Sequence, residues 1–369
     1  MSTNGPNVPL RPTPDRARGS SKMASMISRR APFLEISVVF LVFVLSSTPA
    51  AQKGAIKLAT VVPAGSIWDN TLKQMGTEWE KATEGRVTLT VFSGGSQGDE
   101  ATVLRKMRLD ALQAASLTVV GLGSIDSAFN VFNIPFFFES YDELNYVVDK
   151  LTPTLKKKLE SKNFVMLNWG HGGWLQLFTK QPVKTLDDVK KLKLFTSAGD
   201  DRMTQWYKSH GFQPRAMAMT DILPGLSTGM IDALPTTPLA AMAFQWDRQT
   251  KYMLDIGLSP VVGATVVSER AWNRIATADR QKLLEAAAVV QKRLQAEVPK
   301  QDLGAVLVMT QRGLTMTKAS GSEWRAEAET LATTMRGEMV PRDIYDLALK
   351  ERNAFRQQQG QESKVKGQR

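Results

Sequence analysis

The chain has 369 residues, 43% hydrophobic and 22% charged, with a formal charge of +11 and no cysteine. Such a composition fits a soluble globular protein of about two domains. It excludes disulfides, thiolate metal sites and lipid attachment through cysteine, and two histidines, His171 and His210, are too few for a histidine-rich metal site. Residues 1–52 and residues 350–369 each carry a net +4, leaving +3 for the body, so no nucleic-acid partner is expected.

Residues 1–22 are rich in Pro, Arg, Ser and Thr. They read as a disordered extension or an upstream mis-start, with Met23 and Met26 as alternative starts. Arg29 and Arg30, the ten-residue apolar run Ile36 to Leu45, and SSTPAAQ then form a secretory signal. The run is shorter than the ~20 residues of a membrane span. Cleavage is expected at Ala50 or Ala51, giving an exported, periplasmic protein; an uncleaved anchor is the alternative.

Ala55 to Val62 reads as a buried strand. PAGSIWDN turns from it into a helix in which Ser66 and Asp69 resemble a capping box, and Leu72, Met75 and Trp79 recur at helical spacing. Gly85 stops that helix, and RVTLTVF alternates as a strand. GGSQGDE is a glycine turn whose Asp99 caps the next helix. Ser116 to Leu122 reads as a third strand. Strand–helix–strand–helix–strand implies a parallel sheet.

Further on, NIPFFFESYDEL is an aromatic packing turn into a helix. VMLNWGHGGW is a strand broken at its glycines, LKLFTSA another strand, and RMTQWYKSHG a helix ending at Gly211. MTDILPGLSTGMIDA is a short helix with a glycine stop, followed by extended LPTTPL. Residues 277–311 form a long helix with Leu283, Leu284, Ala287, Val290 and Leu294 on its apolar stripe. GLTMT is a strand, and beyond about Arg352 the Gln-, Lys- and Gly-rich composition reads as a frayed tail.

Four segments carry a resemblance: IKLATVVPAGSIWDN, EGRVTLTVFSGGSQGDE, NVFNIPFFFESYDEL and TGMIDA. In this order, across roughly residues 55–345, they resemble the solute-binding proteins of tripartite ATP-independent periplasmic (TRAP) transporters, dicarboxylate-binding type. The resemblance implies an α/β, two-lobe periplasmic binding protein fold with hinge strands, a long helix spanning both lobes, a ligand in the cleft, and delivery to membrane permease subunits. The expected division is residues 1–51 as leader and signal, 52–168 with 239–265 as the first lobe, 169–238 with 266–345 as the second, and 346–369 as a flexible tail.

In that family a strand of the form DLKGLKIR usually supplies an arginine for a ligand carboxylate. The matching run here is DVKKLKLF, Asp188 to Phe195, which places Phe195 at the arginine position. A phenyl ring cannot replace a bidentate arginine contact. The chain is thus similar to a minority branch that lacks this arginine, is suspected of taking apolar ligands, and associates with a tetratricopeptide-repeat partner.

The expected ligand-binding residues are Trp68, Trp169, His171, Trp174, Phe195, Thr196, Ser197, Arg202, Thr236 and Thr237. Trp68 either faces the cleft or fills a core. Trp169 and Trp174 either stack on the ligand or pack the hinge, and His171 is a hydrogen-bonding or surface residue rather than a metal ligand. Phe195, Thr196 and Ser197 end a strand at the cleft. Arg202 either reaches the cleft or pairs at the surface, while Thr236 and Thr237 offer hydroxyls. Phe244 and Trp246 fit core and cleft rim equally. No catalytic triad or phosphate loop occurs, so neither enzyme activity nor a cofactor is expected. Two alternatives stay open: an organic-acid binder using Arg202, Lys193 or Arg215 as its cation, and a sensing or carrier module not tied to transport.

Overall fold

A computed structural model of the chain describes residues 54–319 and 321–366. The expected leader, signal and cleavage site lie outside the described residues. Among the described residues, eleven strands form two sheets: β1 Gly54–Thr60, β2 Val87–Phe92, β3 Ala114–Thr118, β4 Phe164–Trp174, β5 Gln176–Thr179, β6 Lys193–Ser197, β7 Gln213–Met217, β8 Ala233–Thr236, β9 Tyr252–Asp255, β10 Pro260–Ser268 and β11 Thr315–Lys318. The first sheet runs β2-β1-β3-β10-β4 and the second β11-β9-β5-β8-β6-β7.

The first sheet is parallel through β2, β1 and β3, as the strand–helix alternation requires, but β10 runs antiparallel between β3 and β4. The purely parallel expectation therefore fails at one strand that returns from the other lobe. Helix Ile67–Ala82 begins as expected, with the Ser66 hydroxyl accepting from Asp69 N, and buries Leu72, Met75 and Trp79. Asp69 does not close a capping box: its carboxylate accepts from Gly65 N and Lys73 Nζ and from the Ser93 hydroxyl. Asp99 caps helix Glu100–Arg108 through Thr102 N.

The third strand is shorter than expected. The chain turns helical at Val119, because half-buried Glu100 accepts from Thr118 N at 2.6 Å and Gly121 N at 3.0 Å and so satisfies the new helix start. The β-branched run suggested strand, and a distant carboxylate overrode it. Strand β4 is unbroken at its glycines, with register shifts against β10.

Two extended crossings join the sheets, Leu175 between β4 and β5 and residues 256–259 between β9 and β10. Leu175 N donates to Ser259 O, and Leu258 N donates to Leu175 O, each at 2.9 Å. The sheet boundaries thus fall at 175 and 256–259, not at 168, 238 and 265. All of β4 and β10 belongs to the first sheet and β9 to the second.

Helix Thr277–Gln311 is 35 residues long and bridges both lobes, with Leu283, Ala287, Val290, Leu294, Val298 and Met309 buried along one stripe. Near its start Trp79 Nε1 donates to Leu283 O, and Arg86 forks onto Asp279 at 3.0 and 2.9 Å. Near its end Asp302 accepts from Leu239 N at 2.8 Å and Trp174 N at 3.3 Å. The expected flexible tail is instead helix Arg342–Lys366, packed on helix Tyr141–Glu160. Ala348 is buried, Arg356 Nε pairs with Glu143 at 2.6 Å, and Arg352 lies over the Phe137 ring. Its polar composition misled because long arginine side chains are what anchor it.

Candidate functional site

Between the two sheets lies a cavity of about 190 Å³. The first lobe contributes the ends of β1 and β3, the β4 and β10 strands and Trp68; the second contributes β6, the β8 end and the segment Thr237 to Trp246; the long helix adds Val290 and Leu294. Among the described residues, none with a carboxylate, ammonium or guanidinium group lines it. Burial holds the His171 imidazole down to about 4, so it too is neutral at neutral pH.

Five of the ten expected residues meet at this cavity: Trp68, His171, Phe195, Thr236 and Thr237. Trp68 Nε1 donates to His171 O at 2.7 Å, which fixes the indole against the first lobe. Phe195 is half-buried and faces it from β6. The Thr237 hydroxyl accepts from Ala240 N at 3.2 Å and starts the short helix Pro238–Ala243. Phe244 and Trp246, stacked with centroids 4.4 Å apart, complete the wall.

The other five lie elsewhere. Trp169 is core: its ring packs at 5.5 Å from Phe132 and 5.9 Å from Phe129, and its Nε1 donates to Thr152 Oγ1. Strand alternation turns it away from the cavity face that holds Asn168. Trp174 packs edge-on to Tyr141 at 5.3 Å and borders a separate hollow with Gln176 and Gly257. Thr196 points opposite to Phe195 and its hydroxyl meets Thr204. Ser197 lines a narrow seam with Glu100 and Thr220. Arg202 is exposed and donates to Glu338 O.

The cations named as substitutes do not line the cavity. Lys193 Nζ donates to Gly229 O, and Arg215 is exposed, donating to Pro214 O. Arg215 is nevertheless the register partner of Phe195 across β6 and β7.

Sequence reasoning missed Asn168, Ser116, Thr118 and Thr265 on the cavity wall. Asn168 had a readable signal, an amide inside the apolar run VMLNW. Both Asn168 Oδ1 and His171 Nε2 are buried without a hydrogen-bond partner among the described residues. Unpaired buried polar atoms are costly, so such a pair on a cavity wall marks a place for a ligand or water.

The comparisons agree with this architecture. A model of the bacterial extracellular solute-binding protein family 7, DctP, matches residues 58–338. A solute-binding protein of Chromohalobacter salexigens is 27% identical over 278 residues, covering 74% of this chain and 80% of that one. The C4-dicarboxylate-binding periplasmic protein DctP of Rhodobacter capsulatus is 22% identical over 319 residues, 86% of this chain and 96% of that one.

Among solved structures, a TRAP solute-binding protein of Chromohalobacter salexigens with bound D-glucuronate superposes with TM-score 0.75 at 22% identity, covering 81% of this chain and 99% of that one. A Bordetella pertussis solute receptor binding pyroglutamic acid gives TM-score 0.75 at 20% identity with the same coverage. The ligands named for these neighbours are acids, which runs against the expectation of a hydrophobic ligand. The cavity's own hydroxyls and amide also argue against a purely apolar one. The family match across most of the body, joined to the two-sheet fold with its interlobe cavity, makes this chain a member of bacterial extracellular solute-binding protein family 7, the solute-binding proteins of TRAP transporters.

Proposed function

We propose that this protein is the periplasmic solute-binding component of a TRAP-type transporter and that its ligand is a small uncharged molecule with polar groups on an apolar body. The protein does no chemistry; it closes on the ligand and delivers it to the membrane permease subunits. A tetratricopeptide-repeat protein is a further partner of the branch it resembles. Among the described residues, no helix is long and apolar enough to cross a membrane.

The observation that carries the ligand reading is the absence of a formally charged side chain among the described residues lining the cavity. Burying a carboxylate against Phe195 with no cation would cost several kcal/mol, on the order of 2–7 even for a neutral polar group left unpaired. A cavity of about 150 Å³ accepts a benzene ring. The space here therefore takes roughly six to nine non-hydrogen atoms.

A thermal-shift screen tests this reading. Small neutral amides and alcohols are set against short carboxylates. A ligand at about 100 times its Kd adds roughly 2.7 kcal/mol to stability, a shift of a few degrees in a chain of this size. Shifts with neutral compounds alone are expected. Shifts with carboxylates alone would overturn the uncharged ligand.

One observation favours a second reading, an organic-acid ligand: Arg215 stands one strand from Phe195, in register. A carboxylate reaching past the phenyl ring would find it. That reading requires Arg215→Ala to abolish binding of a carboxylate.

A further inference from the structure

The first lobe presents one polar row to the cavity. Ser116 on β3 is the register partner of Thr265 on β10, and Thr265 is the partner of Asn168 on β4. Directly paired residues share a face of the sheet, and all three line the cavity. Adjacent strands are about 4.8 Å apart, so the row extends over roughly 10 Å. Two residues along, the next row on that face is Thr118, Gly263 and Gly170. It is nearly bare of side chains, and Gly263 is held so because a Cβ there would lie 2.5 Å from Leu117 O. The rest of the wall is largely apolar, with Phe195, Met219, Ile222 and Phe244 on the opposing side.

Asn168 gives this row a direction. It is 4% exposed, its Nδ2 donates to Trp169 O at 2.9 Å, and its Oδ1 has no partner. That bond fixes which way the amide points, because reversing it would set two carbonyl oxygens against each other. At Oδ1 what remains on offer is an acceptor, beside the second Nδ2 hydrogen and the Ser116 and Thr265 hydroxyls, which can donate or accept. A carboxylate presents only lone pairs to Oδ1, whereas an N–H or O–H group satisfies it.

We infer that the Ser116–Thr265–Asn168 row is the head-group subsite of the cavity, and that it selects an uncharged ligand whose polar end carries N–H or O–H donors, such as a carboxamide or an alcohol. This rests on the uncharged-ligand reading above and adds to it the donor requirement and the orientation. The polar head lies on the first lobe, over the glycine row, and the apolar body lies toward Phe195 and Phe244.

The test compares three probes with one branched skeleton, isovaleramide, methyl isovalerate and isovalerate, by calorimetric titration of the full chain. Isovaleramide donates, the ester is neutral but donates nothing, and isovalerate is an anion. The amide is expected to bind about tenfold or more tighter than the ester, with isovalerate weakest. In Asn168→Leu the amide-to-ester ratio falls toward one. Ser116→Ala, at a less buried position, provides the same comparison if Asn168→Leu does not fold, with a smaller drop in the ratio. Equal binding of amide and ester, an unchanged ratio in the folded variants, or no binding of any probe at millimolar concentration overturns the donor requirement. Isovalerate binding as tightly as the amide overturns the uncharged-ligand reading itself.

Discussion

Phe195 and Arg215 face each other as register partners in the parallel strands β6 and β7, one half-buried on the cavity and the other exposed. A cation therefore stands one strand away from Phe195, the residue that the sequence resemblance sets at the family's arginine position. The two positions differ in solvent: an ion pair is worth little at an exposed site and more at a shielded one.

Moving the cation inward is the direct test of that difference. Phe195→Arg is expected to create binding of pyroglutamate, the acid named for the Bordetella neighbour. A charge-assisted pair contributes about 1.5–3 kcal/mol, or roughly 10- to 150-fold in affinity. Calorimetry on wild type, Phe195→Arg and Arg215→Ala reads it out. Tight pyroglutamate binding by wild type, lost in Arg215→Ala, would establish Arg215 as the cation and sink the uncharged-ligand proposal.

His171 and Asp302 give opposite pH dependences. Burial lowers His171 from its ordinary 6.5 to about 4, and burial raises Asp302 from 3.8 to about 6 against its two backbone donors. The depressed histidine contributes stability that is present above 6.5 and lost as pH falls through 4. The raised aspartate contributes stability that is present below 3.8 and lost as pH rises through 6. Each amounts to about 3 kcal/mol across its window, and between pH 4 and 6 the two slopes oppose. Relative to wild type, His171→Asn should lose stability as pH rises from 4 to 6. Asp302→Asn, which keeps an acceptor for Leu239 N, should gain it. Urea midpoints at half-unit pH steps decide; profiles parallel to wild type would show that neither group is perturbed.

The long helix was legible because apolar residues recur at helical spacing from Leu283 to Leu294, inside what is a 35-residue helix. The helix starts at Ser66 and Asp99 were readable because a capping side chain acts within three residues. What local patterns could not reveal were effects from distant parts of the chain. Glu100 ends β3 from 18 residues away in sequence. β10 enters the first sheet only after the chain has built most of the second. Of the site, Phe195, Trp68 and the threonine pair followed from position in the pattern. Trp169 failed because a tryptophan beside glycines reads the same whether its strand turns it inward or outward. The Asn168 amide is legible as a polar group in an apolar run, but the run alone does not say which face of β4 it takes.

The lobes touch at Gly95 and Thr220. A Cβ on Gly95 would lie 2.7 Å from Thr220 Cγ2, closer than carbon atoms pack, and Gly95 has φ +67°. Its neighbour Gly94 has the same φ but nothing within 4 Å of its Cβ position. Gly94→Ala and Gly95→Ala therefore share a backbone cost of about 1 kcal/mol, and only the second obstructs the seam. Both variants are expected to melt lower than wild type, and Gly95→Ala alone to bind ligand more weakly. Thr220→Ala should restore that affinity in the Gly95→Ala background. Equal affinities in the two glycine variants would mean that this contact plays no part in closure.

Trp68 and Trp169 were indistinguishable by residue type and separate by environment. Trp169 is 2% exposed among Phe129 and Phe132, while Trp68 borders the cavity with its Nε1 on His171 O. Trp169→Phe removes the bond to Thr152 Oγ1 and part of a ring from a packed core. It is expected to cost about 2–3 kcal/mol of stability and to leave affinity within twofold. Trp68→Phe removes a hydrogen bond that anchors the cavity wall, so its main effect is a loss of affinity of about tenfold, with about 1 kcal/mol of stability. Denaturant unfolding and titration of the same two variants separate these effects. A larger affinity loss in Trp169→Phe than in Trp68→Phe would place the ligand on the opposite face of β4.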